Sequence, residues 1–192
     1  MEITAKMVKD LREMTGAGMM DCKKALADAS CDLDAAVDIL RTRGLAALAK
    51  KTGRATNEGA IAALVSEDAR TGVLLEVNSE TDFVGRNAEF QSFVNALAEH
   101  IATAAPADLE ELKHQQFTGR EHTVQEVLGE VVSKLGENMS ITRFARRSVG
   151  ETGALGSYIH MGGRIGVLVE VAFTNPGSAS SRALHALSLI HI

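Results

Sequence analysis

A short repeated segment constrains the fold of this chain more than any other feature of its sequence. Residues 72–78 read GVLLEVN, and residues 166–172 read GVLVEVA. Each segment follows an apolar run, at residues 60–65 and 155–160, and a turn, which predicts two β-hairpins. Each hairpin leads into a candidate helix. Two copies of a hairpin-plus-helix unit predict an α+β core made of two related subdomains.

The beginning of the chain predicts three short helices that pack as a bundle. Apolar residues recur there at helical spacing, and Thr4 and Asp32 are suitable N-terminal caps. Gly16 and Gly18 can end the first helix, and Gly44 stands where a glycine stop would end the third. A bundle of this size is only marginally stable by itself.

Changes in composition divide the chain into four parts. The predicted bundle occupies residues 1–45, and an alanine-rich, basic segment at 46–56 predicts a helical linker. Residues 57–138 form the first core subdomain. Residues 139–192 form the second, which begins with a strand-like run. Its helix, at residues 180–192, reaches the end of the sequence, so we expect this subdomain to be truncated.

The composition excludes several classes of function. A formal net charge of −5 and the absence of Trp argue against a nucleic-acid surface, which needs dense positive charge and stacking rings. Cys22 and Cys31 are too few for a disulfide framework or a four-cysteine zinc site. No apolar stretch has the length of a signal-peptide core or a membrane span. We expect a cytoplasmic protein that has no cofactor. We also expect that it binds neither nucleic acid nor a membrane.

No catalytic site is evident in the sequence. The run GAGM after the first helix lacks the third glycine and the lysine of a phosphate loop, so a turn between helices is favoured. Glu76, Glu80 and Asp82 could converge as oxygen ligands, but they fail the calcium-loop pattern and have no nucleophile or base beside them. His160 has no visible orienting partner. We therefore predict that the chain is not an enzyme.

Two apolar features are candidates for an interface. Phe83 is predicted to lie in a short loop between a strand and a helix that Asn87 can cap, in a chain with few aromatic residues. A ring folded under that helix and a ring presented to a partner's pocket are both open. Met19 and Met20 are adjacent at the start of a helix, where one side chain is buried more easily than two. Core packing and an adaptable contact surface are both open for this pair.

Several motifs together resemble one known family. Residues 15–26, TGAGMMDCKKAL, are similar to the N-terminal signature of the bacterial elongation factor Ts family. Residues 80–84, ETDFV, resemble its second signature. KLGEN at 134–138 and GSYIH at 156–160 resemble the later ones. The resemblance covers residues 1–175 in order.

The resemblance implies a guanine nucleotide exchange factor for elongation factor Tu, the GTPase that carries aminoacyl-tRNA to the ribosome. It implies an N-terminal three-helix domain of the ubiquitin-associated type, followed by a core of two similar subdomains. It also implies that Thr81, Asp82, Phe83 and Val84 enter the GTPase domain and disturb its magnesium site, with Phe83 as the wedge.

The resemblance further implies contacts with the GTPase from both parts of the chain. The matching positions in the helical domain are Arg12, Met19, Met20, Cys22 and Lys23. Those in the core are Leu135, Gly136 and His160. Residues 184–192 do not resemble the family's helix, which leaves dimerisation and exchange efficiency open.

A second class of function is a binding module without exchange activity. A bundle of the ubiquitin-associated type can bind other proteins, so residues 1–54 could associate with the ribosome or with nascent chains. This alternative gives no role to the second repeat or to residues 81–84. Release of GDP from elongation factor Tu distinguishes the two hypotheses.

Overall fold

The structure of the protein is a computed structural model, and it describes residues 2–174. The helix predicted at residues 180–192 lies outside the described residues. Within them the chain forms seven helices and five strands. In chain order these are α1 (Ala5–Thr15), α2 (Met19–Asp28), α3 (Leu33–Lys51), β1 (Glu58–Val65), β2 (Thr71–Ser79), α4 (Asp82–Gly85), α5 (Ala88–Ala104), α6 (Leu109–His114), α7 (Val124–Leu135), β3 (Met139–Ser148), β4 (Gly153–His160) and β5 (Ile165–Ala172).

The first three helices pack around a small apolar core of their own. Thr4 accepts the N–H of Met7 at 3.2 Å and Asp32 accepts that of Ala35 at 3.0 Å, so both predicted caps are confirmed. Gly16 ends α1 in the left-handed conformation, with φ 67°. The core of the bundle consists of Val8, Leu11, Cys22, Ala25, Leu26 and Ala36.

The third helix does not stop at Gly44, and that prediction is wrong. α3 continues to Lys51 and includes the first part of the predicted linker. Gly44 lies instead where α3 crosses α7, and a Cβ added to it would come within 3.1 Å of the carbonyl carbon and oxygen of Gly129. Arg41 and Glu126 form an ion pair beside the crossing at 2.8 Å. The two glycines let the helix backbones approach closely and join the bundle to the core.

The main sheet is antiparallel, in the order β1-β2-β3. Ala60 faces Val77 and Ala62 faces Leu75 across the first pair of strands, and these four residues are buried in the core under α5. β3 pairs with β2, with a register shift between Glu76 and Val77. The strand-like run from residue 139 thus joins the sheet of the first hairpin, although the predicted division grouped it with the second.

The second predicted hairpin is also confirmed, as the antiparallel pair β4-β5. It packs across the other face of the main sheet. A Cβ on Gly72 would lie 2.8 Å from Leu168, and one on Gly166 would lie 2.6 Å from Ile61, so small residues allow the two sheets to approach. The molecule is α+β, with an N-terminal helical region followed by antiparallel sheets and helices. Among residues 2–174, no helix has the length and apolar character needed to cross a membrane.

Candidate partner-binding site

Residues 82–84 belong to a one-turn helix rather than to the predicted loop. α4 begins after Thr81, whose side-chain oxygen accepts the N–H of Val84 at 3.4 Å. Phe83 projects from this turn with 83% of its surface exposed. The ring is therefore not folded under the following helix. The chain presents a single aromatic ring on a short, capped turn.

Contacts on the inner side of α4 explain why Phe83 points outward. Val84 is buried in the main core, and a Cβ on Gly85 would lie 3.0 Å from the carbonyl oxygen of Gly59 in β1. The side-chain amide of Gln91 donates to the carbonyl of Gly85 at 2.5 Å. Since Val84 and Gly85 face the protein, a single helical turn leaves Phe83 on the side of the solvent.

A carboxylate holds the start of the turn. Thr81 donates its backbone N–H to Oε2 of Glu137 at 3.0 Å and its hydroxyl to Oε1 at 2.7 Å. The carbonyl of Thr81 accepts the hydroxyl of Ser79 at 2.9 Å. Hydrogen bonds to an ionised carboxylate are stronger than those between neutral groups. Glu137 thus fixes both the main chain and the side chain of the residue that caps α4.

The preceding residue is held by the same segment of chain. The N–H of Asn138 donates to Oε1 of Glu80 at 2.6 Å, and Arg54 pairs with the same oxygen at 3.3 Å. The hydrogen bond from Asn138, followed by the charge of Arg54, lowers the pKa of Glu80. The buried side chain of Asn138 donates to the carbonyl of Arg54 at 2.8 Å. Residues 137–138 therefore hold residues 80–81 in place through hydrogen bonds.

Glu137 and Asn138 are not among the residues that the sequence predicts for this site. Both belong to the KLGEN motif, in which only Leu135 and Gly136 were expected to contact a partner. Gly136 is exposed and ends α7 with φ 80°, while Leu135 is half-buried. The motif marks this segment as part of the site. Its sequence alone does not distinguish residues that contact a partner from residues that hold the turn in place.

Four of the five candidate residues in the helical region lie at the surface. Arg12 and Lys23 are exposed, and Met19 and Met20 expose 60% and 73% of their surfaces. Cys22 is buried, and its thiol donates to the carbonyl of Ala17 at 3.7 Å. Burial raises the pKa of the Cys22 thiol. Cys22 therefore faces the bundle core and does not lie at the surface with the other four residues.

The C-terminal end of α7 lies between the helical region and the turn at residues 81–84. A Cβ on Gly16, in the connection that leads to α2, would lie 2.7 Å from Nζ of Lys134. Lys134 forms an ion pair with Glu89 in the first turn of α5. Glu137, two residues beyond the end of α7, holds Thr81. One helix end therefore connects the two groups of candidate residues.

His160 lies at the tip of the second hairpin. It is half-buried, and its Nδ1 lies 3.4 Å from the hydroxyl of Tyr158. The tip is attached to β1, because Ile61 donates its N–H to the carbonyl of Gly163 at 2.8 Å and Arg164 pairs with Glu58 at 3.3 Å. The beginning of β1 thus supports both the hairpin tip and α4.

The acids considered as metal ligands have separate partners. Glu76 pairs with Arg143 at 2.6 Å, and Asp82 pairs with Arg86 at 2.8 Å. Within residues 2–174, no group of three or more His, Cys, Asp or Glu side chains could hold a metal ion. The described surface offers exposed apolar side chains on supported backbone, an arrangement suited to binding another macromolecule.

Comparison with known proteins identifies the family. Residues 80–189 match the family model described as Elongation factor TS, so the match continues beyond residue 175, where the resemblance was expected to end. Elongation factor Ts of Trichlorobacter lovleyi is 51% identical over 184 residues, which are 95% of this chain and 59% of that protein. Elongation factor Ts of Clostridium perfringens is 54% identical over 170 residues, 88% of this chain and 55% of that protein. The chain spans a little over half the length of these curated relatives. Because the family model matches more than half of the chain, this protein belongs to the elongation factor Ts family.

Proposed function

We propose that this chain is a guanine nucleotide exchange factor for elongation factor Tu. It binds the GDP-bound GTPase, disturbs the magnesium site through the turn of residues 81–84 and promotes release of GDP. Phe83 is the exposed residue of that turn, whereas Val84 is buried and holds the turn on the core. The observation that carries this proposal is the exposed ring of Phe83 on a turn anchored at both ends. A ring held in this way can enter a pocket with little further loss of conformational freedom.

The mechanism is a coupling between two binding events. Mg²⁺ bridges the phosphates of GDP to the GTPase, so a group that intrudes beside the ion weakens the binding of the nucleotide. Linkage requires that the nucleotide weaken the binding of the exchange factor by the same factor. The factor therefore binds the empty GTPase best and leaves when GTP and Mg²⁺ bind again. The chain needs no cofactor for this, and it acts as a binding protein rather than as an enzyme.

Two contact regions bind the GTPase while the turn of residues 81–84 enters its magnesium site. One is the helical region, an ubiquitin-associated-type domain that contributes Arg12, Met19, Met20 and Lys23 directly and Cys22 through its packing. The other is the core, which contributes Leu135, Gly136 and His160. A location in the cytoplasm, without direct binding to nucleic acid or a membrane, belongs to the same proposal.

The alternative of a binding module without exchange activity is less well supported. It would use the helical region alone and give no role to the hydrogen bonds that hold Thr81 and Glu80. Those bonds order a turn whose exposed residue, Phe83, contributes little to the core. An interaction role for that turn explains its construction better.

Release of labelled GDP from elongation factor Tu, followed by stopped flow, tests the proposal. The chain should accelerate release, and Phe83→Ala should slow the catalysed rate by about thirtyfold, the size expected when an anchor residue is lost from an interface. Met14→Ala is a matched control, because Met14 is also exposed but lies outside the proposed contacts. If Phe83→Ala accelerates GDP release as fast as the unchanged chain does, Phe83 is not the wedge. No acceleration by the chain itself would remove the function.

A further inference from the structure

We propose that Glu137 is a positioning residue for exchange, which holds the turn of residues 81–84 so that Phe83 is presented in one orientation. This inference rests on the proposed exchange function. Glu137 is not itself offered as a contact with the partner. It acts through Thr81, to which it binds at 3.0 Å and 2.7 Å.

The two oxygens of the carboxylate do different work. Oε2 accepts the backbone N–H of Thr81, which fixes the chain where it leaves the strand. Oε1 accepts the hydroxyl proton of Thr81, so the hydroxyl oxygen keeps its lone pairs for the N–H of Val84. Without the carboxylate the hydroxyl would be free to rotate away from its capping position. Glu137 therefore controls the cap of α4 as well as its starting point.

The turn depends on such anchors because it cannot hold itself. α4 has four residues, far fewer than a helix needs to be stable alone. Its far side is anchored by Val84 and Gly85, and its near side by Glu137. Phe83 lies between the two anchors and is too exposed to be fixed by its own packing. Loss of the near anchor leaves the ring attached at one side only.

A mobile ring loses more conformational entropy when it enters a pocket, so a loosened turn should reach the inserted state more slowly. We expect Glu137→Ala to reduce the rate of catalysed GDP release by about tenfold, less than removal of the ring itself. Glu137→Gln keeps one acceptor oxygen, so its rate of catalysed GDP release should lie between that of the unchanged chain and that of Glu137→Ala.

A double-mutant cycle separates positioning from a general effect on folding. GDP release is measured with Phe83→Ala, Glu137→Ala and the two changes combined. If Glu137 acts through Phe83, the double variant is no slower than Phe83→Ala alone. Additive losses would overturn the proposal. If Phe83→Ala slows release and Glu137→Ala does not, the positioning role fails while the exchange function stands; if the chain does not accelerate release, the function itself fails.

A second measurement does not require the partner. The chain contains no Trp, so Phe83→Trp introduces a single fluorescent reporter at the tip of the turn. Adding Glu137→Ala, or Glu137→Gln if that variant does not fold, should lower the fluorescence anisotropy of the reporter. The matched control is Glu111→Ala, because Glu111 accepts a backbone N–H from Ala107 at 2.8 Å and a side-chain amide from Gln115 at 3.1 Å. An equal change in the control, or no change with Glu137→Ala, would overturn the proposal.

Discussion

The two regions proposed to bind the partner present apolar side chains by different physical means. The turn with Phe83 is held by hydrogen bonds to Glu137 and to the carbonyl of Gly85. The start of α2 has Gly18 as its cap, without a side-chain hydrogen bond, and is held by the apolar packing beneath it. A rigid ring suits insertion, whereas unbranched methionines adapt to the surface they meet. We therefore expect the turn to determine the rate of the proposed exchange reaction and α2 to determine the affinity for the partner.

The two regions can cooperate only if the bundle has a fixed position on the core. That position depends on the crossing of α3 and α7, where Gly44 and Gly129 bring the backbones together. The ion pair between Arg41 and Glu126 flanks the same contact. A change at the crossing should therefore affect the helical region and leave the turn intact.

Of the changes predicted here, Gly44→Leu should have the largest effect, which is a loss of stability. Leucine is a good helix former, so destabilisation must come from the contact with Gly129, whose carbonyl would lie only 3.1 Å from a Cβ added at residue 44. We expect a loss of about 2 to 3 kcal/mol in the free energy of unfolding, typical of overpacking. Urea unfolding followed by circular dichroism measures it.

Gly53→Leu is the matched control for this prediction, because a Cβ there would meet nothing within 4 Å. It should leave the free energy of unfolding nearly unchanged. Equal stability of the two variants would show that the helix crossing does not hold the bundle. A separate measurement of GDP release should find that Gly44→Leu needs a higher concentration of the chain for half-maximal acceleration.

Gly44 also shows where prediction from the sequence reaches its limit. A glycine can end a helix or let two helices approach, and the local sequence is the same in both cases. The distant Gly129 decides between them, and no local pattern indicates that contact. The caps at Thr4 and Asp32 were predictable because cap and helix are neighbours in the chain.

The candidate site divides in the same way. Phe83 could be singled out from the sequence because aromatic residues are few and its segment matches a family motif. Its exposure could not be decided, because that depends on Val84 and Gly85 packing against distant parts of the core. Glu137 was missed for a similar reason, since its bond to Thr81 joins segments far apart in the chain.

The next prediction tests the division between rate and affinity. The double variant Met19→Ser and Met20→Ser should raise the concentration of the chain needed for half-maximal GDP release by about tenfold, as expected for moderately important interface residues. The maximal rate should stay the same, because the turn is unchanged. Phe83→Ala should instead lower the maximal rate.

Met14→Ser is the control for the methionine pair, since Met14 is similarly exposed on the neighbouring helix α1. It should leave both kinetic parameters unchanged. A fall in the maximal rate with an unchanged half-saturating concentration in the double variant would contradict the division. The unfolding curves of the double variant, of Met14→Ser and of Phe83→Ala should coincide, because the substituted side chains are exposed in each case.

A buried histidine distinguishes the core from the bundle. His100 in α5 accepts the N–H of Thr118 at Nδ1, at 3.2 Å, and Nε2 lies 3.1 Å from the side-chain oxygen of Gln115. Its ring stacks on Phe117 with the centroids 5.5 Å apart. Burial lowers the pKa of His100 below its ordinary value of 6.5, which favours the neutral ring in the folded protein. The helical region at residues 2–51 contains no histidine.

The smallest predicted effect is therefore a loss of core stability in mild acid. With the pKa of His100 lowered in the folded state, the unfolded chain takes up the proton first as the pH falls below about 6.5. The contribution of His100 to stability is complete above that pH and declines below it, by at most about 1.4 kcal/mol per pH unit. Urea unfolding at pH 7.5 and 5.5 should show this loss relative to His100→Gln, which cannot be protonated in this range. Parallel pH dependence in the two proteins would contradict the buried neutral ring. If the bundle, which contains no histidine, unfolds together with the core at pH 5.5, then the two regions form one cooperative unit, joined where α3 crosses α7.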